Sequence, residues 1–345
     1  MIDSTRPDLE EALVDDPDDA PPPIRLPAAM LLSRVAEHLY WAGRYLERVE
    51  GTARLVKTHT ELFVDLPRST GLGWAPLLAV TGSREAFDVG YERVTEDDVV
   101  AFLLAEPEHH GSVLVSIEQT RENLRVTRGL IPQRMWEVVN ETRQWVQVSA
   151  VAGCARGSRI MWTEEVIRRC HTVIGTAAST MSRDLAYAFM EIGRLVERAD
   201  MTSRVLDVQA GILMRANVDT PIPYTDLTWM AMLRSLGGEQ MYRRQMGGVV
   251  SAPNAVQFLL REQAFPRSVE HCLIEIERNL VELPHHDDSI ASARTIHALL
   301  DTVGGAEVDL VWLHQFVDDL QLALGGLHDQ LAATYFPARE EAPGP

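Results

Sequence analysis

The stretch "YWAGRYLERVEGTAR" at residues 40–54 decides the fold, because the chain carries the same pattern twice. The second copy is "FMEIGRLVERADMTSR" at residues 189–204, at an offset of 150 residues. The matching positions are Gly43 and Gly193, Arg44 and Arg194, Glu47 and Glu197, Arg48 and Arg198, Glu50 and Asp200, Thr52 and Thr202, and Arg54 and Arg204. Because glycine and charge identity recur together, the pattern indicates an internal repeat.

Apolar residues around the first copy recur at alternating spacings of three and four, which is typical of a helix packed in a bundle. These residues are Leu32, Val35, Leu39, Ala42, Leu46, Val49, Ala53 and Val56. The second copy repeats the same spacing from Leu185 to Leu206. Two long helices over about 33–64 and 183–215 are therefore predicted to pack against one another. Glycine costs about 1 kcal/mol inside a helix, so its presence at both Gly43 and Gly193 indicates a close helix crossing.

Helical periodicity also dominates the rest of the sequence. Further helices are predicted at 96–106, 111–128, 132–147, 160–180, 225–236, 253–262, 267–282, 288–302 and 307–333. The segment "VQVSAVAGC" at 146–154 is the single strand candidate. The sequence thus predicts an all-α helical bundle of two pseudo-symmetric halves, about 30–150 and 180–335. Each half begins with a long helix that carries the motif G-R-x-x-E-R-x-[DE]-x-T-x-R.

The two ends of the chain differ from this pattern in composition. Residues 1–27 are acidic and rich in proline, and residues 336–345 are similar, so we expect both segments to be disordered. The helical domain is expected to span residues 28–335. The sequence leaves open whether translation starts at Met1 or at Met30.

Charge and cysteine content exclude several classes of partner. The formal net charge is -18, which disfavours binding to nucleic acid. No stretch approaches the roughly 18 consecutive apolar residues of a membrane span, so we expect no membrane partner. The three cysteines have no metal-type spacing, and the N-terminus does not resemble a signal peptide. A cytoplasmic protein is the expectation.

The repeated charges are the main candidates for a functional site. The candidate residues are Glu37, Trp41, Arg44, Glu47, Arg48 and Arg54 in the first copy, Arg194, Glu197, Arg198 and Arg204 in the second, and Glu118, Arg121 and Arg125 in the cluster "SIEQTRENLRVTR". Three interpretations remain open. The charges could form a solvated helix face, a buried network that joins the two halves, or a pocket in which arginines hold a carboxylate or phosphate.

The sequence does not identify catalytic residues. It contains no glycine-rich phosphate loop, no nucleophile elbow and no H-E-x-x-H zinc motif. Two Glu-x-x-His strings, Glu106–His109 and Glu282–His285, contain proline and lie at loop signals, which disfavours a di-iron site. We therefore expect no metal and no cofactor, and the sequence leaves open whether the protein is an enzyme.

Three segments resemble the bacterial alpha-E domain family: "MLLSRVAEHLYWAGRYLERVEGTARL", "SIEQTRENLRVTRGLIPQRMWEVVNE" and "FPRSVEHCLIEIERNL". The resemblance implies an all-helical protein, often encoded beside ATP-grasp-type ligases and transglutaminase-like proteins. It implies a non-catalytic or accessory subunit of a peptide-forming or peptide-modifying system with those partners. The alternative is an enzyme whose Glu-Arg pocket performs acid-base or transfer chemistry on a carboxylated or peptide substrate. The chain departs from the family pattern at Gly51, where asparagine is expected, and in the extension before Met30.

Overall fold

The computed structural model describes residues 33–65, 73–216, 225–247, 249–304 and 309–337. The predicted disordered segment 1–27, the question of Met1 or Met30, and nearly all of 336–345 lie outside these ranges. Phe336 is described, and its ring centroid lies 5.3 Å from that of Tyr40.

The described residues form fourteen α-helices and no strand, which confirms the prediction of an all-α fold. The helices are α1 (Ser33–Asp65), α2 (Ala75–Val80), α3 (Arg84–Gly90), α4 (Glu96–Ala105), α5 (Val113–Val126), α6 (Gln133–Gly153), α7 (Arg156–Thr180), α8 (Leu185–Ala216), α9 (Thr225–Ser235), α10 (Glu239–Met246), α11 (Ala252–Arg261), α12 (Val269–Leu280), α13 (Asp287–Leu300) and α14 (Leu310–Tyr335). No helix in this part of the chain is long and apolar enough to cross a membrane.

Local details differ from the sequence prediction in three places. The strand candidate at 146–154 is wrong: its residues complete α6, and Val146, Ala150 and Gly153 face the core at helical spacing. Three short helices, α2, α3 and α10, were not predicted, because each has too few turns for a periodic signal. Helix α12 begins at Val269, after the N-cap Ser268, so Arg267 lies in the preceding loop.

Helices α1 and α8 lie at the centre and pack against one another along their length, as predicted. Their backbones meet at the two repeated glycines. A Cβ atom on Gly43 would lie 2.0 Å from the carbonyl oxygen of Met190, and one on Gly193 would lie 2.0 Å from that of Tyr40. Each glycine therefore faces the residue three positions before the other one. No other residue type fits such an approach without moving the backbone.

The helices around this central pair have reciprocal neighbours. Helix α1 packs on α5 and α7, while α8 packs on α12 and α14. Helix α2 packs against α8, and α9 packs against α1. These contacts are consistent with two related halves, about 30–150 and 180–335, whose pseudo-symmetry stays a prediction.

Candidate functional site

The carboxylate of Glu197 on α8 is held by two arginines of α1. Arg44 donates from Nε to Oε2 at 2.7 Å, and Arg48 donates from Nε to Oε1 at 2.6 Å and from Nη2 to Oε2 at 3.0 Å. Glu197 is only 4% exposed. The fork of Arg48 is bidentate, which is the strongest arrangement of an arginine with a carboxylate.

The reciprocal carboxylate, Glu47 on α1, is held by arginines of the second half. Arg198 makes a bidentate pair with it, with both distances 2.8 Å. Arg267 adds a hydrogen bond of 2.8 Å, and Arg194 lies 3.6 Å away. Glu47 is 2% exposed. The two repeated carboxylates are thus each bound by guanidinium groups of the opposite helix, and Glu47 is also bound by Arg267 from the loop before α12.

Glu50 extends this network away from the glycine crossing. Its side chain is fully buried, and its Oε1 accepts hydrogen bonds from Arg267 at 2.6 Å and from Arg54. His171 Nε2 on α7 lies 3.0 Å from the same oxygen. The other oxygen, Oε2, is buried without a hydrogen-bond partner among the described residues. The counterpart in the second copy, Asp200, pairs with Arg204 at 2.9 Å.

The arginines keep these buried carboxyl groups ionised. Burial alone would raise the pKa of Glu197, but Arg48 and Arg44 outweigh it and lower the pKa to about 2. At Glu47 burial again favours a higher pKa, but Arg198 and Arg267 outweigh it and lower the pKa. At Glu50 burial is again outweighed, by Arg267 and His171 among others, and the pKa lies well below its ordinary value. At neutral pH all three groups can accept hydrogen bonds but cannot donate a proton, which disfavours a role as general acid.

The thiols beside the network are unsuited to nucleophilic chemistry. Cys170 and Cys272 are fully buried. Burial raises the pKa of Cys272 to about 12 and raises that of Cys170 well above its ordinary value. Cys154 is partly buried, and burial raises its pKa as well. A thiolate is the reactive form of cysteine, and these sites disfavour it.

The remaining candidates on α1 have different surroundings. Glu37 is exposed to solvent. Trp41 is half-buried, and the guanidinium carbon of Arg44 lies 5.3 Å from its ring centroid. The sequence stripe of Glu37, Trp41, Arg44 and Arg48 therefore runs from solvent into the α1–α8 interface. It is neither wholly a solvated face nor wholly buried.

The candidates Glu118, Arg121 and Arg125 lie apart from this network, on α5 where it faces α6. Glu118 pairs with Arg143 of α6, and Arg121 donates to Asn140 at 3.1 Å. Arg125 pairs with Glu122 of its own helix at 2.8 Å. The described contacts do not join them to Glu47 or Glu197. They form a separate cluster on the surface between α5 and α6.

Sequence reasoning missed Arg267, Glu50 and His171 as members of the network. Glu50 corresponds to Asp200 in the sequence repeat, and this correspondence was the only feature of the sequence that pointed to Glu50. Arg267 lies in a loop and His171 on a third helix, so no periodicity linked either of them to α1. Their role follows from tertiary packing alone.

One group of potential metal ligands occurs in the described part of the chain. Asp207 of α8 and His314 and Asp318 of α14 offer ligand atoms within 4.8 Å of one another. Asp318 is exposed, and His314 Nδ1 lies 2.5 Å from Asp207 Oδ1. The hydrogen bond with Asp207 raises the pKa of His314. An aspartate–histidine pair accounts for this geometry without a metal.

A family model described as a predicted alpha-helical domain with a conserved ER motif matches residues 31–336. The chain belongs to the Alpha-E family. Two Glu-Arg pairs of this Alpha-E chain, Glu47–Arg48 and Glu197–Arg198, supply both carboxylates and two of the arginines of the network. No solved structure is found to match the chain.

The Alpha-E chain is also similar to longer mycobacterial proteins. Uncharacterized proteins of Mycobacterium bovis and of two strains of Mycobacterium tuberculosis are each 24% identical to it over 284 residues. The matched region covers 76% of this chain and 31% of each relative. The chain therefore spans about a third of the length of these relatives.

Proposed function

We propose that this Alpha-E chain is a cytoplasmic accessory subunit of a peptide-forming or peptide-modifying system and that it works with an ATP-grasp-type ligase. In this proposal the network of Glu47, Glu197 and their arginines holds α1 and α8 together and takes no part in chemistry. A transglutaminase-like protein of the same system is a second expected partner.

The observation that carries the proposal is the enclosure of both repeated carboxylates. Glu47 and Glu197 are 2% and 4% exposed, and each is bound by at least two arginines. A catalytic carboxylate must reach the substrate within hydrogen-bond distance. The geometry therefore favours a structural role over the alternative, in which the Glu-Arg pocket performs acid-base or transfer chemistry.

The longer relatives support a partnership. In each of them, about two thirds of the polypeptide lies outside the region similar to this chain. In those relatives a domain similar to this chain is covalently joined to a larger polypeptide, which supports a role beside other protein components. The ATP-grasp identity of that partner rests on the family resemblance of the sequence.

The proposal is tested by purifying an ATP-grasp-type ligase of the same host with and without this chain. The rate of ADP release and the amount of peptide product are expected to rise when the chain is added. The product is measured by mass spectrometry. An unchanged rate and product spectrum would overturn the proposal.

The double variant Glu47→Gln, Arg198→Met separates the accessory role from the enzymatic alternative. It removes one charge pair and leaves the cluster of Glu197 in place. If the network is structural, the folded double variant stimulates the ligase as well as the wild type does. A loss of all stimulation by a variant that remains folded at the assay temperature would favour the enzyme.

A further inference from the structure

A polar cavity of about 510 Å3 lies beside the buried network, between α1, α7 and the α9–α10 region. This volume is within the range of about 300–1,000 Å3 that is typical of small-molecule sites. The cavity is adjacent to the Glu50 end of the network, because Arg54 and His171 both contact Glu50 and both line the cavity.

The lining of the cavity carries both signs of charge. Arg54 and His171 lie together, 3.4 Å apart between Nη2 and Nε2, and Arg168 is one helical turn from His171 on α7. Glu61 and Glu164 lie together because Lys57 bridges them at 3.4 and 2.9 Å. One side of the cavity thus carries the basic side chains of Arg54, Arg168 and His171, and the other carries two carboxylates with Lys57 between them.

Arg54 has hydrogen-bonding capacity that the described residues do not use. Its Nε is buried without a hydrogen-bond partner among the described residues, as is Oε2 of Glu50, whose other oxygen accepts from Nη2 of Arg54. Burial of an unpaired polar group costs about 1–3 kcal/mol. The Nε atom itself is enclosed, while the side chain of Arg54 as a whole is 16% exposed and lines the cavity.

The predicted repeat offers an internal comparison for this cavity. Gly82 and Gly237 both have positive φ, and a Cβ on either would lie 3.0 Å from Nη1 of an arginine, Arg204 and Arg54 respectively. The two arginines are thus covered by similar glycine turns. Buried residues of α7 and α14 also recur in one register: Val166, Cys170 and Val173 correspond to Leu320, Leu324 and Leu327.

The second half keeps Arg204 at the position of Arg54 but lacks the other basic residues that line the cavity in the first half. In the same register Arg168 corresponds to Leu322, and His171 corresponds to Gly325. Lys57 corresponds to Asp207, which contacts His314. The reciprocal arginine–glutamate pairs occur in both halves, so packing of the bundle accounts for them. Packing of the bundle does not account for cations that occur at only one of two equivalent places.

We propose that this cavity binds a small zwitterion, either a free amino acid or a short peptide. Its carboxylate lies toward Arg54, His171 and Arg168, and its ammonium group lies toward Glu61 and Glu164. The inference rests on the cavity alone and does not require the ligase partnership proposed above.

Direct binding tests the inference, with trialanine and L-alanine as probes and isothermal titration calorimetry or ligand-observed NMR as the measurement. C-terminally amidated trialanine lacks the carboxylate, and N-acetylated trialanine lacks the ammonium group. We expect the free forms to bind and each capped form to bind about tenfold more weakly, as loss of a charge-assisted hydrogen bond implies. Absence of binding of both free probes at about 10 mM, where even weak sites are occupied, would overturn the inference. Equal binding of either capped form would also overturn it.

The variant Arg168→Leu introduces the residue of the second half, and Arg134→Leu is its matched control. Both arginines pair with a glutamate three residues away on their own helix, and their side chains are 64% and 61% exposed. Arg134 lies on α6 and does not line the cavity. Arg168→Leu is expected to weaken trialanine binding about tenfold, while Arg134→Leu leaves it unchanged. Equal affinities of the two variants would place the bound peptide elsewhere and overturn the inference. Peptide binding without ligase stimulation would refute only the accessory role, and stimulation without binding would refute only the cavity assignment.

Discussion

Replacement of Glu47 by glutamine tests whether the network supports the fold. The change keeps the size of the side chain and removes its charge. Arg198 would lose both charge-assisted hydrogen bonds of 2.8 Å, and Arg267 would lose one of the same length. Both arginines would remain buried, because Arg198 is 7% exposed and the side chain of Arg267 is 12% exposed.

The expected cost follows from this burial. Removing one partner of a buried ion pair destabilises a protein by about 3–5 kcal/mol, because a charge remains without compensation. Arg267 keeps Glu50 as a second partner, so the lower end of that range is expected. At about 2 °C per kcal/mol for a domain of this size, the melting temperature should fall by roughly 6 °C. Thermal unfolding followed by circular dichroism measures this change.

Two further variants make the measurement decisive. Glu118→Gln removes a partner from the half-exposed pair with Arg143 and should cost no more than about 1 kcal/mol. Glu47→Gln with Arg198→Met should cost less than the sum of the two single changes, since the uncompensated charge is also removed. If Glu47→Gln melts at the same temperature as Glu118→Gln, the network does not stabilise the fold and our reasoning is wrong.

Three other outcomes follow from the same geometry. Gly43→Ala should destabilise the protein severely or separate α1 from α8, because its Cβ would lie 2.0 Å from a backbone oxygen of α8. The control Gly175→Ala, whose Cβ would have no atom within 4 Å, should be neutral or raise the unfolding free energy by up to about 1 kcal/mol. Chemical denaturation measures both changes. The lowered pKa of Glu197 contributes stability that is present above its ordinary pKa of 4.5 and is lost as the pH falls toward about 2. The unfolding free energies of wild type and Glu197→Gln should therefore converge by roughly 3 kcal/mol over that interval, and a constant difference would contradict the lowered pKa. Cys170 and Cys272 should resist iodoacetamide at pH 8 until the protein unfolds, and rapid labelling of the native protein, detected by mass spectrometry, would contradict their burial.

The sequence predicted the central helices well because their signal is local. The alternating spacing around Leu39 and Leu46 extends over many turns, and the repeated glycines indicated the crossing before any contact was known. The residues that pair with the repeated charges were harder to predict from the sequence. Arg267 reaches Glu47 across 220 residues of sequence from a loop, and only tertiary packing brings them together. The strand candidate at 146–154 failed for a related reason, since Val146, Ala150 and Gly153 lie on the buried face of α6, while Val148 and Val151 are exposed.

The reciprocal ion pairs explain how α1 and α8 find a single register. Buried ion pairs often contribute little net stability compared with apolar residues of the same shape, because both charges lose their hydration. The apolar residues of the interface, such as Leu46 and Val196, would tolerate a shift of one helical turn far better than the charges do. A shift of one turn, about 5.4 Å, would move Glu47 away from Arg198 and Glu197 away from Arg48 at the same time. Each carboxylate would then keep at most the arginine one turn away, Arg44 for Glu197 and Arg194 for Glu47, whereas in the observed register both bidentate pairs are made as well. The network therefore favours the register in which both bidentate pairs form, even though a buried ion pair adds little to stability compared with apolar residues of the same shape.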